Sequence, residues 1–136
     1  MNARVFIDTN VLVYAYSNDD LSKKAQAAAA LQTPDAWLST QVLTEFGNVY
    51  SRKLKVGWLQ VEAAIQQLSN DFSVHLNAVS TISHATRLAH RYGFSWFDSL
   101  IVAAALESGC ETLYSEDLQH GQLIEQSLRV VNPFLS

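Results

Sequence analysis

The stretch Val5-Phe6-Ile7-Asp8-Thr9-Asn10-Val11-Leu12 constrains the chain more than any other. Val5 to Ile7 combine β-branched and aromatic residues in a short apolar run, which predicts a buried strand. Asp8 stands where that strand should end, and Val11–Tyr16 is apolar again and reads as a short helix that Asp8 or Asn10 can cap. Strand, carboxylate and helix together read as the opening of an α/β fold. In open parallel sheets, ligands bind outside the carboxyl ends of the strands. Asp8 is therefore the first candidate for a site, and the rest of the chain must supply its companions.

The chain then alternates. Leu21–Gln32 reads as a helix, stopped by Thr33-Pro34-Asp35. Ala36–Ser39 is a short strand, and Thr40 is the expected N-cap of a helix to about Leu54. A helix over Trp58–Phe72, a strand at Val74–Leu76 and a helix over Val79–Tyr92 ended by Gly93 follow. Ser95 caps Trp96–Ser108, a helix so apolar from Leu100 to Leu106 that it should be buried. Thr112–Tyr114 is a strand, Leu118–Gln126 is expected to form a last short helix, and Leu128–Val131 a last strand. Strands alternating with helices predict parallel crossovers and a three-layer α/β/α sandwich around a mainly parallel sheet, one domain over residues 1–136.

Composition narrows the function classes. Of 136 residues, 49% are hydrophobic and 16% charged, as in a folded globular protein. No apolar run is long enough to span a bilayer, and the N-terminus lacks a signal-peptide pattern, so no membrane association is expected. The one cysteine, Cys110, cannot form an internal disulfide, which predicts a reducing, cytoplasmic location. It reads as a core filler. A net charge of −4 argues against coating nucleic acid by bulk charge. It does not argue against acids concentrated in one site.

Four acids stand apart. Asp8 and Asp117 follow strands, Glu45 flanks the apolar stripe of its helix, and Asp98 lies in the first turn of the buried helix. Each has a structural alternative: Asp8 as an N-cap, Asp98 as the second half of a Ser95-x-x-Asp98 capping box, Glu45 as a solvated edge residue, Asp117 as the cap of the final helix. Gathered at one sheet edge, they would repel unless a cation neutralised them, and hard oxygen ligands select Mg²⁺ or Mn²⁺. Such a site suits phosphodiester hydrolysis without a covalent protein intermediate. No Gly-x-Ser-x-Gly turn is present, and Cys110 has no nearby base in sequence.

These residues carry a resemblance. Val5–Leu12, the acid within Val42-Leu43-Thr44-Glu45-Phe46, Phe97-Asp98-Ser99-Leu100-Ile101 with the alanines after it, and Ser115-Glu116-Asp117-Leu118 resemble, in this order, a PIN domain of the VapC toxin type. The resemblance spans essentially the whole chain. It implies a metal-dependent endoribonuclease of a type II toxin–antitoxin pair. It implies that Asp8, Glu45, Asp98 and Asp117 hold Mg²⁺ or Mn²⁺, with Thr9, Asn10 and Ser115 orienting the acids or the phosphate. It further implies an RNA substrate, a small antitoxin that enters the active-site groove, and a homodimer. An inactive PIN-like module acting only through antitoxin or dimer contacts is the alternative of another class. An aspartyl-phosphate phosphatase would want an acid at position 10, where Asn10 stands.

Secondary candidates are weaker. Glu116 should point away from Asp117, since neighbours after a strand diverge. Arg52 and Lys53 are candidate RNA contacts, alongside Lys23-Lys24, Lys55 and the group Arg87, His90, Arg91; all also read as solvated helix ends. His120 is near Asp117 in sequence. Phe97 is expected in the core, and Trp96 exposed enough to stack on a base.

Overall fold

The computed structural model describes residues 3–135. Its elements run β1 (Val5–Ile7), α1 (Thr9–Tyr16), α2 (Leu21–Leu31), β2 (Ala36–Ser39), α3 (Thr40–Arg52), α4 (Trp58–Asp71), β3 (Ser73–His75), α5 (Val79–Tyr92), α6 (Trp96–Glu107), β4 (Thr112–Tyr114), β5 (Leu123–Ile124) and β6 (Leu128–Val131). The sheet order is β3-β2-β1-β4-β6-β5, parallel throughout except for the β5/β6 pair. The expected α/β fold with a mainly parallel central sheet flanked by helices is what the chain forms. Among the described residues, no helix is long and apolar enough to cross a membrane.

The order of the strands decides where a site can form. From β1 the chain builds outward through β2 to β3, then returns to the other side of β1 to lay down β4 and β6. The direction of winding reverses between β1 and β4, which is where a crevice opens at the strand ends. Ile7 is level with Tyr114, and the Asp8 N–H donates to the Tyr114 carbonyl at 3.0 Å. Asp8 and Ser115 therefore leave the sheet side by side.

Packing holds this edge still. Phe6, Ile7, Leu38 and Leu113 are fully buried in the sheet, and α6 is buried without interruption from Ser99 to Ala105. Burial of each large side chain contributes about 1.5–3 kcal/mol. α1 packs on α2 and α3, and α5 on α6. Gly93 sits at φ 73°, the left-handed conformation expected of it where α5 stops.

Four expectations need correction. No helix forms over Leu118–Gln126: that segment is a turn followed by the hairpin of β5 and β6. Positive φ at Gly121, Glu125 and Gln126 breaks any helix there, and the Gly121 N–H donates to the Val130 carbonyl instead. Ser39, not Thr40, caps α3, its hydroxyl accepting from the Val42 N–H at 3.2 Å; the Thr40 hydroxyl accepts from the Asn77 N–H. β3 lies one residue earlier than read, leaving Leu76 exposed. Phe97 is 62% exposed rather than in the core, because α6 begins at the sheet edge and turns its first residues outward; Trp96, as expected, is also exposed.

Candidate active site

Asp8 caps α1, with its Oδ1 accepting the Thr9 N–H at 2.7 Å. Its Oδ2 accepts from the Ser115 hydroxyl at 2.8 Å. Both partners exist because β1 and β4 end at the same level. Ser115 is fully buried and uses the same oxygen to accept the Asp117 N–H at 3.2 Å. One hydroxyl thus orients two acids. Asp117 Oδ2 accepts from the Asn10 amide at 2.9 Å, one helical position beyond Thr9.

Asp98 arrives from the first turn of α6. Its backbone N–H donates to the Ser95 hydroxyl at 3.2 Å, so Ser95 caps the helix as predicted. The reciprocal half of a capping box does not form: among the described residues, nothing in the chain donates to the Asp98 carboxylate. That carboxylate faces Asp8 and Asp117 instead. One oxygen from each of the three lies within 4.8 Å of the others.

Glu45 stands beside this trio but outside it. The Thr9 hydroxyl donates to its Oε1 at 2.6 Å and the Gln41 amide to its Oε2 at 3.4 Å. The same Gln41 amide reaches the Phe97 carbonyl at 3.2 Å, linking α3 to the start of α6. All four acids line one open cavity of about 240 Å³, together with Thr9, Asn10, Asn48, Val49, Phe97 and Ile101. No lysine or arginine lines it.

Electrostatics follow from this layout. Burial, foremost, pushes the Asp8 carboxyl up from 3.8 to about 7; the Asp117 and Asp98 charges add to it, and the Ser115 and Thr9 hydrogen bonds oppose it. Asp117 is also raised, by partial burial and then by Asp98 and Glu116. Converging carboxylates without a cationic side chain form a donor set suited to a hard divalent cation, and Asp8, Asp98 and Asp117 are the residues that could hold one.

Other expected contributors lie elsewhere. Glu116 turns away from Asp117, as its position after the strand predicts, into an ion pair with Lys23 at 3.0 Å. His120 accepts the Asn132 N–H at its Nδ1 and holds the C-terminal segment. Arg52 and Lys53 do not line the cavity; Arg52 is exposed two turns along α3 from Glu45, on the same face. Cys110 is buried, and burial pushes its thiol up to about 12, so it is inert. Sequence reasoning missed Gln41 and Asn48. Their spacing from Glu45, four residues before and three after on one helix, was the available signal.

Four acids in one cavity, three of them converging, at the β1/β4 switch point of a mainly parallel sheet define an acidic α/β site that could hold a metal ion. The PIN domain family model matches residues 5–123, and the chain belongs to that family. Solved structures agree on the fold. A toxin–antitoxin complex from Klebsiella pneumoniae matches at 22% identity over 95% of this chain and 97% of that one, with a TM-score of 0.70. VapC20 of Mycobacterium tuberculosis, a toxin that cleaves the sarcin-ricin loop, matches at 20% identity over 82% and 88%, TM-score 0.66. VapBC2 of Rickettsia felis, bound to a promoter DNA fragment, matches at 17% identity over 94% and 98%, TM-score 0.64. Among curated proteins, no relative is found by sequence.

Proposed function

We propose that this chain is an Mg²⁺- or Mn²⁺-dependent endoribonuclease, the toxin of a toxin–antitoxin pair acting in the cytoplasm. The observation that carries the reading is the convergence of Asp8, Asp98 and Asp117 within 4.8 Å, in a cavity lined by no basic side chain. When bound there, a divalent cation supplies charge neutralisation at phosphate and a more acidic water. The chain's own work is positional. Asp8, Asp98 and Asp117 hold the cation, Ser115 fixes the first and last of them, and Asn10 sets the Asp117 carboxylate. Glu45, with both oxygens tethered by Thr9 and Gln41, is a fixed acceptor at the edge of the reacting centre.

The RNA substrate and the partners are supported by the surroundings and by the solved relatives. VapC20 is an RNA-cleaving toxin, and the Klebsiella protein is in a toxin–antitoxin complex. An antitoxin segment suits the apolar cleft between α3 and α4, lined by Leu43, Val61 and Ile65 with Trp58 exposed beside it. Exposed Val79 and Ile82 on α5 suit a second copy of the chain. Arg52 and Lys53 can meet the phosphates beyond the cavity.

The test is cleavage of total cellular RNA by the purified protein. Cutting is expected with Mg²⁺ or Mn²⁺, lost on chelation and restored by returning the metal. Undiminished cutting in excess chelator overturns the metal reading; no cutting with any divalent ion favours the inactive module. Phe97→Ala refines the picture. The exposed ring on the cavity lip is placed to stack an unpaired base, so KM is expected to rise about 10-fold with kcat little changed. Phe97→Tyr should restore KM, and an unchanged KM in the alanine variant removes the stacking role.

A further inference from the structure

Three consecutive residues after β4 are each gripped by α1 or its cap. Ser115 donates to Asp8, and Asp117 accepts from Asn10. Between them, Glu116 Oε1 accepts from the Tyr14 hydroxyl at 2.8 Å. Its other oxygen, Oε2, lies 3.0 Å from the Lys23 ammonium of α2. Lys23 is itself confined: its Nζ is 4.7 Å from the centre of the Tyr14 ring and 5.2 Å from that of Phe134, and those two rings meet edge to face at 5.0 Å. A cation between two aromatic faces has few other places to go. The first and third residues of the turn thus face the acid pocket, and the middle one is anchored on the opposite side.

We propose that Tyr14 and Lys23, acting through Glu116, are positioning residues that set the divalent-cation affinity of the pocket by fixing Asp117. This rests on the metal reading of the site given above. The physical basis is the shortness of the turn. Asp117 adjoins Glu116, so the anchor on one leaves the other little backbone freedom. With the anchor gone, only the Asn10 amide and the Ser115 hydroxyl hold Asp117, and its carboxylate leaves the trio for part of the time. Partners of metal ligands commonly tune affinity in this way.

Charge alone would act differently, and the difference makes the test. Lys23→Met removes a positive charge near the pocket and, by Coulomb's law, would tighten cation binding. Glu116→Gln removes a negative charge and would weaken it. Loss of positioning weakens both: Lys23→Met leaves Glu116 Oε2 without its anchor, and Glu116→Gln puts an amide NH2 donor where Tyr14 and Lys23 need a second acceptor. The experiment is Mn²⁺ titration of the folded full chain by calorimetry, with folding checked by circular dichroism.

Each single variant is expected to bind Mn²⁺ about 10-fold more weakly than the wild type. The double variant should be no weaker than the worse single one, and Lys23→Arg should recover most of the loss. Tyr14→Phe, which leaves the ring packing in place, should weaken binding in the same direction by a smaller factor. Opposite shifts in the two single variants, or affinity unchanged in Lys23→Met, overturn the proposal while the metal site stands. A wild type that binds no Mn²⁺ overturns the metal reading itself, and this proposal with it.

Discussion

Asp8→Asn is expected to cut RNA roughly a thousand-fold more slowly than the wild type, several kcal/mol of lost transition-state stabilisation, and to make the metal-free protein more stable. Both effects have one cause. Asp8 is 5% exposed and converges with Asp98 and Asp117 in a cavity that Glu45 also lines, so its charge is costly until a cation arrives. Asparagine keeps the shape, and its Oδ1 can still accept the Thr9 N–H. Its amide can donate to the Ser115 oxygen, reversing the direction of that bond. What disappears is the charge. At pH 8 in chelator, the melting temperature should rise by about 5 °C or more. A variant that is inactive but no more stable would show that Asp8 carries little buried charge. One that is stable and fully active would remove Asp8 from the site.

The second prediction concerns pH. The Asp8 carboxyl is raised from 3.8 to about 7 in the folded chain. Between those values the folded state keeps a proton that the unfolded state has lost. Stability therefore falls as pH rises from about 4 to about 7 and is level above that. The contribution is on the order of 4 kcal/mol for the metal-free protein. Asp117 is raised too and acts in the same direction, more weakly because it is largely exposed. Urea unfolding in chelator from pH 4 to pH 8 measures the slope. The difference between wild type and Asp8→Asn isolates the part belonging to Asp8. Saturating Mn²⁺ at pH 8 should restore the lost stability by mass action. Parallel profiles for the two proteins would place the charge burden elsewhere.

The legible and the hidden parts of this chain differ for physical reasons. β1, α5 and β6 were readable because a short apolar run, a helical period and a terminal glycine are local signals. The four acids were readable as candidates because each follows a strand, opens a helix or flanks an apolar stripe. That three of them converge while Glu45 is tied to Thr9 and Gln41 depends on how α3 and α6 approach β1, which no local pattern states. Phe97 was misread because α6 is apolar almost all round, so its sequence has no preferred face to orient the ring. The false helix at Leu118–Gln126 had one visible warning in Gly121. The left-handed backbone at Glu125 and Gln126 is held by contacts from outside the segment, with the Tyr92 hydroxyl accepting the Glu125 N–H and His84 3.3 Å from the Glu125 carboxylate.

The reversal of winding between β1 and β4 bears on when, during synthesis, the acidic site can assemble. The bond from Ser115 to Asp8 joins residues 107 positions apart, as does the bond from Asn10 to Asp117. While the chain is being synthesised, β2 can pair with β1 and β3 with β2, but the other edge of β1 waits for β4. On the proposed assignment, a nascent chain that ends before Asp98 has one acid of the trio, and one that ends before Asp117 has two. If the proposed function holds, a ribosome making this protein carries no working nuclease until nearly the last strand emerges, which would leave the whole time of translation for an inhibitor to accumulate.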